Sequence, residues 1–177
     1  MKNEIRKRVK QKLNTVTEDE LGIASNMIAE RLFESEEFKS ASRIFIYKSF
    51  GKEVKTERII ERAIQLGKAV CIPKIDGENM YSLALESITE YYVDSYGILE
   101  PVGGEEVAPD LIVMPLIAFD NAKNRLGRGK GYYDRYCNSN PCTTVAIALS
   151  VQKEESIPAD EWDFTPDVII TEKEILK

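Results

Sequence analysis

Histidine is absent from this 177-residue chain, and cysteine is scarce. The missing imidazole excludes Ser-His-Asp and Cys-His catalysis, histidine-ligated zinc and the most common general base near neutral pH. The three cysteines, Cys71, Cys137 and Cys142, are odd in number and have no CxxC spacing. They therefore predict reduced thiols rather than a disulfide framework or a metal site. Any chemistry must rest on carboxylates, on Lys and Arg charges, on tyrosines and on a hard cation.

Long apolar runs are also missing, and so is a net positive charge. No segment approaches the length of a membrane span or of the apolar part of a signal peptide. The formal charge of −6 disfavours nucleic acid or an anionic membrane as the main partner. Residues 1–12 nevertheless carry six basic side chains against one acidic one, so this segment is +5 and the remainder is −11. We expect a soluble cytoplasmic protein that binds neither nucleic acid nor membrane.

The hydrophobic pattern predicts one α/β domain over residues 1–177. Helices are predicted over residues 2–13, after a capping box at residues 17–20, and from an N-cap at Thr56 to a C-terminal cap at Gly67. Strands are predicted over residues 43–47, 69–72, 81–85, 111–119, 144–149 and 167–170. Near-continuous apolar strands with helices between them indicate a mostly parallel sheet that is covered on both faces.

Residues 86–110 form the least periodic part of the chain. A connection of this length is unusual in a compact domain, and such connections are often functional lids. We therefore interpret this segment as a candidate lid.

The most informative segment is a glycine-rich loop, Arg125-Leu-Gly-Arg-Gly-Lys-Gly-Tyr-Tyr-Asp134, between an apolar strand and a predicted short helix. Alternate glycines let the backbone approach a ligand closely. Successive N–H groups, a helix N-terminus and the cations Arg125, Arg128 and Lys130 suit a polyphosphate. The loop is not a Walker A motif, because Gly131 follows Lys130, and its GxGxG spacing differs from the dinucleotide fingerprint. It predicts a nucleotide-phosphate site, the alternative being a plain turn with solvated cations.

This loop and the motifs around it resemble the 5-formyltetrahydrofolate cyclo-ligase family, also called methenyltetrahydrofolate synthetases. The matching motifs are Lys2-x-x-x-Arg6, Tyr47-x-x-Phe50-x-x-Glu53-Val54, Glu100-Pro101, Met114-Pro115 and the decapeptide at residues 125–134. The resemblance runs from about residue 2 to Thr171. It implies a three-layer α/β/α fold with a mostly parallel sheet, similar to the sugar-phosphate isomerase and CoA-transferase group. It also implies ATP- and Mg²⁺-dependent closure of 5-formyltetrahydrofolate to 5,10-methenyltetrahydrofolate, with ADP and phosphate as products.

The resemblance further implies roles for individual residues. The residues implied to bind ATP are Lys2, Arg6, Arg125, Leu126, Gly127, Arg128, Gly129, Lys130, Gly131, Tyr132 and Tyr133. The residues implied to act in catalysis are Arg128, Lys130 and Tyr132. Those implied to bind folate are Lys48, Phe50, Glu53 and Tyr132, and those implied to bind magnesium are Asp134 and Asp163. The residue types agree, since Glu53 can accept hydrogen bonds from the pterin N–H edge and Phe50 or Tyr132 can stack on the ring.

Three positions depart from the family's usual pattern. Ser49 stands where Pro commonly precedes the Phe, Leu116 stands where Gly follows Met-Pro, and Trp162 stands where His often precedes the Asp. None of these changes removes a charged group, so they concern the shape of the folate pocket more than the ATP chemistry.

Two other functions remain open from the residues alone. One is an enzyme similar to a sugar-phosphate isomerase, which would use the loop for a substrate phosphate without ATP. The other is a regulatory nucleotide-binding module without turnover. We expect a monomer, with a homodimer as the alternative.

Overall fold

The structure is a computed structural model that describes residues 1–95 and 97–177. The helices within these residues are α1 (Lys2–Asn14), α2 (Glu18–Glu34), α3 (Glu36–Ser40), α4 (Glu57–Gln65) and α5 (Tyr132–Ser139). The strands are β1 (Arg43–Ile46), β2 (Ala69–Asp76), β3 (Asn79–Ala84), β4 (Tyr91–Val93), β5 (Leu99–Pro101), β6 (Leu111–Met114), β7 (Ala118–Phe119), β8 (Arg125–Leu126), β9 (Thr143–Ile147), β10 (Val168–Ile170) and β11 (Ile175–Leu176).

A seven-stranded sheet runs through the molecule in the order β11-β10-β9-β6-β1-β2-β3. The strands from β10 to β2 pair in parallel. The two edge strands, β3 and β11, pair antiparallel with β2 and β10. All four residues of β6 are buried, as expected for a central parallel strand that is covered on both faces.

Helices cover both faces of this sheet. Successive residues of a strand face opposite sides, and Ile44 and Val113 join a core cluster on the side of the first four helices. The buried helix residues of that cluster include Ile5, Val9, Leu13, Leu21, Ile28, Phe38 and Ile59. On the other side, Phe45 packs with Tyr136 and Cys137 of α5. The prediction of a three-layer α/β/α fold with a mostly parallel sheet is therefore confirmed.

Caps were predicted at both ends of α4. The C-terminal cap is confirmed, and the N-terminal one is wrong. Gly67 has a φ of +73°, and the N–H groups of Gly67 and Lys68 bond to carbonyls in the last turn of α4. This is the Schellman arrangement that a glycine at that position predicts. Thr56 occupies the N-cap position, but its hydroxyl does not cap the helix. The hydroxyl instead donates to the carbonyl of Tyr47 at 2.8 Å, because it is buried beside the end of β1.

The predicted strand over residues 111–119 is wrong, because it divides into two elements. β6 ends at Met114, directly before Pro115, which has no N–H to donate to a ladder. Residues Ala118–Phe119 then pair with Arg125–Leu126 in a separate two-stranded hairpin. β2 extends four residues beyond its predicted end, and α3, β11 and the β4–β5 pair were not predicted.

The topology places several loops at one edge of the sheet. The parallel strands β1, β6 and β9 all run in the same direction, so the segments that follow them meet at their carboxyl ends. In open parallel sheets this edge is where ligands bind. Within residues 1–95 and 97–177, no helix has the length and apolar character needed to cross a bilayer.

The capping box of α2 gives a test of the fold. The hydroxyl of Thr17 accepts a hydrogen bond from the N–H of Glu20 at 3.2 Å, and the Glu20 carboxylate accepts one from the N–H of Thr17 at 2.8 Å. We expect Thr17→Ala to lower the free energy of unfolding by about 1 kcal/mol. Urea denaturation followed by circular dichroism measures this change.

Thr15→Ala is the matched control for that variant. The Thr15 hydroxyl is exposed and donates only to the Lys12 carbonyl, at 2.7 Å, so its loss should change stability by less than about 0.5 kcal/mol. Equal destabilisation by the two substitutions would show that the capping box has no special contribution.

Candidate active site

The glycine-rich loop connects β8 to α5 with a backbone that only glycine adopts easily. Gly129 has a φ of +99° and Gly131 a φ of +70°. A Cβ added to Gly129 would lie 3.4 Å from the guanidinium of Arg6, so the loop and that side chain are in close contact. Gly131 is the N-cap of α5 and offers no side-chain cap. The first N–H groups of the helix are therefore open to an acceptor such as a phosphate.

Helix α1 brings two of the predicted phosphate-binding cations to this loop. Lys2 and Arg6 are one turn apart and share a face of the helix. Arg6 Nε donates to the carbonyl oxygen of Gly127 at 2.8 Å. Lys2 Nζ donates to Asp163 Oδ2 at 2.5 Å and to Asp160 Oδ2 at 2.8 Å. Residues more than 120 positions apart in the chain thus meet, as the resemblance implies.

The ion pair between Lys2 and Asp163 keeps both groups charged. Desolvation opposes the charge on Lys2, but the hydrogen bonds to Asp160 and Asp163 outweigh it, and the pKa of Lys2 lies above its ordinary value. Desolvation likewise opposes the charge on Asp163. The hydrogen bond from the Asp160 backbone and the ion pair with Lys2 nevertheless hold the pKa of Asp163 below its ordinary value.

Arg125 is a buried cation rather than a solvated loop residue. Its side chain is 2% exposed, and Nη2 lies 2.7 Å from Asp134 Oδ1. The same carboxylate oxygen accepts a hydrogen bond from the N–H of Phe164 at 2.9 Å. Asp134 is the third residue of α5 and not its N-cap, so this ion pair closes the loop from its first residue to its last. Arg125 therefore does not fit the alternative of a plain turn whose cations are solvated.

Arg128 contacts a residue of the predicted folate site. Arg128 Nη2 lies 2.6 Å from Glu53 Oε1, and Glu53 Oε2 accepts a hydrogen bond from the N–H of Phe50 at 2.8 Å. The Glu53 side chain is mostly buried and that of Arg128 is half-exposed. Nearby, Lys48 Nζ lies 4.6 Å above the ring of Tyr91. This ion pair therefore joins the glycine-rich loop to the carboxylate that is predicted to bind the pterin.

Two cavities meet at this ion pair. The first, of about 440 Å³, lies between the loop, residues 47–53 and the β4–β5 pair. The second, of about 450 Å³, lies between α1, residues 50–54 and residues 115–117. The residues that line both cavities are Tyr47, Phe50, Glu53, Pro115, Leu116, Ile117 and Arg128. The site thus has two compartments with a common wall.

The structure distributes the predicted site residues unevenly between these compartments. Those that line the first cavity are Lys48, Phe50, Glu53, Arg125, Gly127, Arg128, Lys130, Gly131, Tyr132, Tyr133 and Asp134. Arg6 lines the second cavity. Lys2, Gly129 and Asp163 line neither, although their contacts place them beside the loop. Leu126 as a whole is 2% exposed and its carbonyl accepts a hydrogen bond from the N–H of Ile117 at 2.7 Å, so it packs in the core and presents little surface to a ligand.

Several lining residues had no role predicted from the sequence. Tyr92 of β4, Ile98 before β5, and Leu99 and Glu100 of β5 line the first cavity, and Lys10 and Lys52 line the second. The irregular segment of residues 86–110 indicated only a candidate lid. The one sequence signal for Lys10 is its position one turn after Arg6. Burial raises the pKa of Glu100, with the charge of Asp94 acting in the same direction.

Two neighbouring phenols and the thiols are unsuited to act as bases. Burial raises the pKa of Tyr47 and of Tyr133 well above the ordinary value, so both phenols remain protonated. Burial also raises the pKa of Cys137 to about 12 and that of Cys142 to about 11. All three cysteines are free thiols, as predicted. The chemistry of the site must therefore depend on side chains that are permanently charged and not on these phenols and thiols.

The carboxylates predicted to bind magnesium suit an ion that is shared with a nucleotide. Within the described part of the chain, no cluster of three or more His, Cys, Asp or Glu residues could hold a metal. The contacts described for Asp134 use Oδ1 and those for Asp163 use Oδ2, which leaves one oxygen of each carboxylate for a ligand. Mg²⁺ commonly binds one or two carboxylates together with phosphate oxygens and water. Each carboxylate therefore has an oxygen of the type that binds a magnesium ion together with phosphate.

The three-layer fold, the cationic glycine-rich loop and the joined cavities define an α/β protein with a candidate active site at one edge of its sheet. Its family is shown by comparison with known proteins. The family model described as the 5-formyltetrahydrofolate cyclo-ligase family matches residues 1–172, and the chain belongs to that family.

Individual relatives agree with this assignment. The 5-formyltetrahydrofolate cyclo-ligase of Mus musculus is 32% identical over 191 residues, covering 97% of this chain and 93% of the relative. The NMR structure of Aquifex aeolicus 5,10-methenyltetrahydrofolate synthetase is 34% identical, with a TM-score of 0.86 over 98% of this chain and 91% of that one. A 5,10-methenyltetrahydrofolate synthetase from Mycoplasma pneumoniae shares the fold at 24% identity, with a TM-score of 0.79 over 97% of this chain and 98% of that one.

Lys130 provides a test of the phosphate site. It is exposed in the loop and lines the first cavity, and its side chain has no ion pair among residues 1–95 and 97–177. We expect Lys130→Met to lower kcat/KM for ATP by about tenfold or more, because a cation near the transferred phosphate is lost. The melting temperature should not change, since an exposed cation contributes little to stability.

Lys173→Met is the matched control, because Lys173 is an exposed lysine in the turn between β10 and β11 and lines neither cavity. It changes the net charge by the same amount and should leave the ATP kinetics unchanged. Equal kinetics for the two folded variants would contradict a role of Lys130 in phosphate binding.

Proposed function

We propose that this chain catalyses the ATP- and Mg²⁺-dependent cyclisation of 5-formyltetrahydrofolate to 5,10-methenyltetrahydrofolate, with release of ADP and phosphate. The observation that supports this reaction most directly is the Arg128–Glu53 ion pair of 2.6 Å in the common wall of the two cavities. It joins a cation of the phosphate loop to a carboxylate that can accept hydrogen bonds from a pterin. Transfer of a phosphoryl group from a nucleotide to a folate requires the two binding sites to meet in this way.

The two cavities suggest a position for each substrate. We place the folate in the first cavity, where Phe50 and Tyr132 offer aromatic faces and Glu53 offers a carboxylate. The phosphates of ATP would lie on the glycine loop with Lys2 and Arg6. The nucleoside would lie in the second cavity, whose apolar lining includes Leu13, Val54 and Ile147. Residues from α1 to Gln152 line these cavities, which supports a single catalytic domain over residues 1–177.

The proposed reaction has two steps. The formyl oxygen attacks the γ-phosphorus of ATP, a new O–P bond forms, and the bond to the ADP oxygen breaks. N10 then attacks the activated formyl carbon, the carbon–oxygen bond breaks with loss of phosphate, and the N10 proton passes to the departing phosphate or to solvent. Phosphoryl transfer depends mainly on positioning and charge stabilisation. Arg128 and Lys130 are suited to that work, because both are cations on the wall of the first cavity.

Asp134 and Asp163 would hold the magnesium ion through the oxygens that their protein contacts leave open. When bound, the ion neutralises phosphate charge and favours attack on the γ-phosphorus. Arg125 and Lys2 hold these two carboxylates in place on either side of the phosphate loop.

Asp160 and Asp163 allow a sharp test of the metal site, because both carboxylates bond to Lys2 but only Asp163 is proposed as a ligand. We expect Asp163→Asn to raise the Mg²⁺ concentration that gives half-maximal rate by about fivefold or more, since a charged oxygen ligand becomes an amide. Asp160→Asn should leave that concentration unchanged. A Mg²⁺ titration at saturating ATP measures both, and the opposite ranking of the variants would transfer the metal role to Asp160.

The reaction itself is tested with purified protein, Mg-ATP and 5-formyltetrahydrofolate. The near-ultraviolet absorbance of the conjugated methenyl product should develop, and one ADP should appear for each product formed. Omission of ATP, Mg²⁺ or folate should each abolish the signal. ATP binding without product would support a regulatory nucleotide-binding module instead. Turnover of a sugar phosphate without ATP would support the isomerase-like alternative.

A further inference from the structure

Helix α1 is attached to the rest of the protein by a second polar contact, which involves side chains other than Lys2 and Arg6. Arg8 Nε donates to Glu154 Oε2 at 3.0 Å, and Lys12 Nζ donates to Glu154 Oε1 at 2.8 Å. Arg8 and Lys12 are again one turn apart, so one carboxylate holds two successive turns of the helix. The Glu154 side chain is only 7% exposed. Such a buried carboxylate with both oxygens bonded has a fixed position.

Glu154 is itself attached to the hairpin that carries the glycine loop. Its N–H donates to the carbonyl of Phe119 at 2.8 Å, and Lys153 forms a parallel bridge with Phe119. Phe119 pairs with Arg125 in the β7–β8 hairpin, and Arg125 is the first residue of the loop. A continuous series of bonds therefore runs from α1 through Glu154 and Phe119 to the beginning of the loop.

The apolar face of α1 cannot supply the same constraint. Ile5, Val9 and Leu13 are buried against the core. The buried stripe sets which side of the helix faces the core, but hydrophobic contact is non-directional and fixes the position of the helix along its axis less sharply. A carboxylate that accepts from two side chains one turn apart fixes that position.

We propose that Glu154 is a positioning residue for the phosphate site, which holds α1 in register with the glycine loop so that Lys2 and Arg6 face the bound phosphates. The proposal rests on the proposed function, because it takes the ligand of the loop to be ATP. The hydrogen bond from Arg8 and the nearby Lys12 charge also lower the pKa of Glu154 in spite of its burial, so the carboxylate remains charged.

The direct test is the ATP dissociation constant of the full-length Glu154→Gln protein, measured by calorimetry without folate. Glutamine keeps the shape but presents an amide N–H₂ to one of the two cations, so α1 loses one of its anchors. We expect ATP to bind about three- to tenfold more weakly, because small displacements of charged groups reduce their contacts strongly. The KM for folate should stay within about twofold.

The matched control is Glu174→Gln. Glu174 Oε1 lies 2.6 Å from the Nζ of Lys153, the residue next to Glu154, and among residues 1–95 and 97–177 no salt bridge joins Glu174 to α1. Its removal should leave ATP affinity unchanged. If Glu154→Gln does not fold, Arg8→Gln and Lys12→Gln each remove one donor and leave the carboxylate with the other. Each should then weaken ATP binding by part of the same factor.

A double-mutant cycle with Arg6 separates positioning from a general effect on folding. In an Arg6→Gln background, Glu154→Gln should weaken ATP binding by less than about twofold, because a cation that Glu154 positions is already missing. An equal loss in both backgrounds, or an unchanged ATP affinity in folded Glu154→Gln, would overturn the proposal. Absence of methenyl product from the unmodified protein would contradict the proposed reaction instead, since it leaves these ATP measurements valid.

Discussion

The buried ion pair between Arg125 and Asp134 is the contact on which the conformation of the glycine-rich loop depends. It joins the first and last residues of the glycine loop, and the same Asp134 oxygen accepts the N–H of Phe164. The loop, the start of α5 and the segment that carries Asp163 are thus held at one point. Loss of one member of a buried ion pair commonly costs about 3–5 kcal/mol, because the partner is left charged and without compensation. The flexible glycines between the two residues can then adopt one conformation instead of many.

Three of the six cations predicted for the site are paired with carboxylates that have their own proposed ligands. Lys2 contacts Asp163, Arg125 contacts Asp134, and Arg128 contacts Glu53. The first two carboxylates are proposed to bind magnesium and the third to bind the pterin. In the proposed complex Mg²⁺ would bind the free oxygens of Asp134 and Asp163, so their ion pairs with Arg125 and Lys2 would stay in place. This limits the cost of keeping many charges in a partly buried site, since none of these charges is left without a partner.

Local sequence patterns predicted the helix ends and the inner strands, because interactions between residues close in the chain determine them. The Thr17 capping box and the Gly67 cap mark their helix ends, and the apolar runs mark the inner strands. The β4–β5 pair and β11 were not predicted. Strands of two or three residues form because of the strands they pair with, and a local sequence pattern does not identify those partners. The candidate residues of the site were predicted from the loop and the family motifs. Their partners were not, since the Arg128–Glu53 contact spans 75 positions and no spacing rule predicts it.

The absence of histidine is consistent with this arrangement of paired charges. An enzyme that must move protons near neutral pH usually needs a group that titrates there. Here burial shifts the phenols of Tyr47 and Tyr133 and the thiol of Cys137 away from neutral pH. Phosphoryl transfer to a formyl oxygen requires positioning and positive charge rather than a protein base. Arginine and lysine supply that charge over the whole physiological range, so the proposed reaction suits a site whose charged groups hold their protonation state.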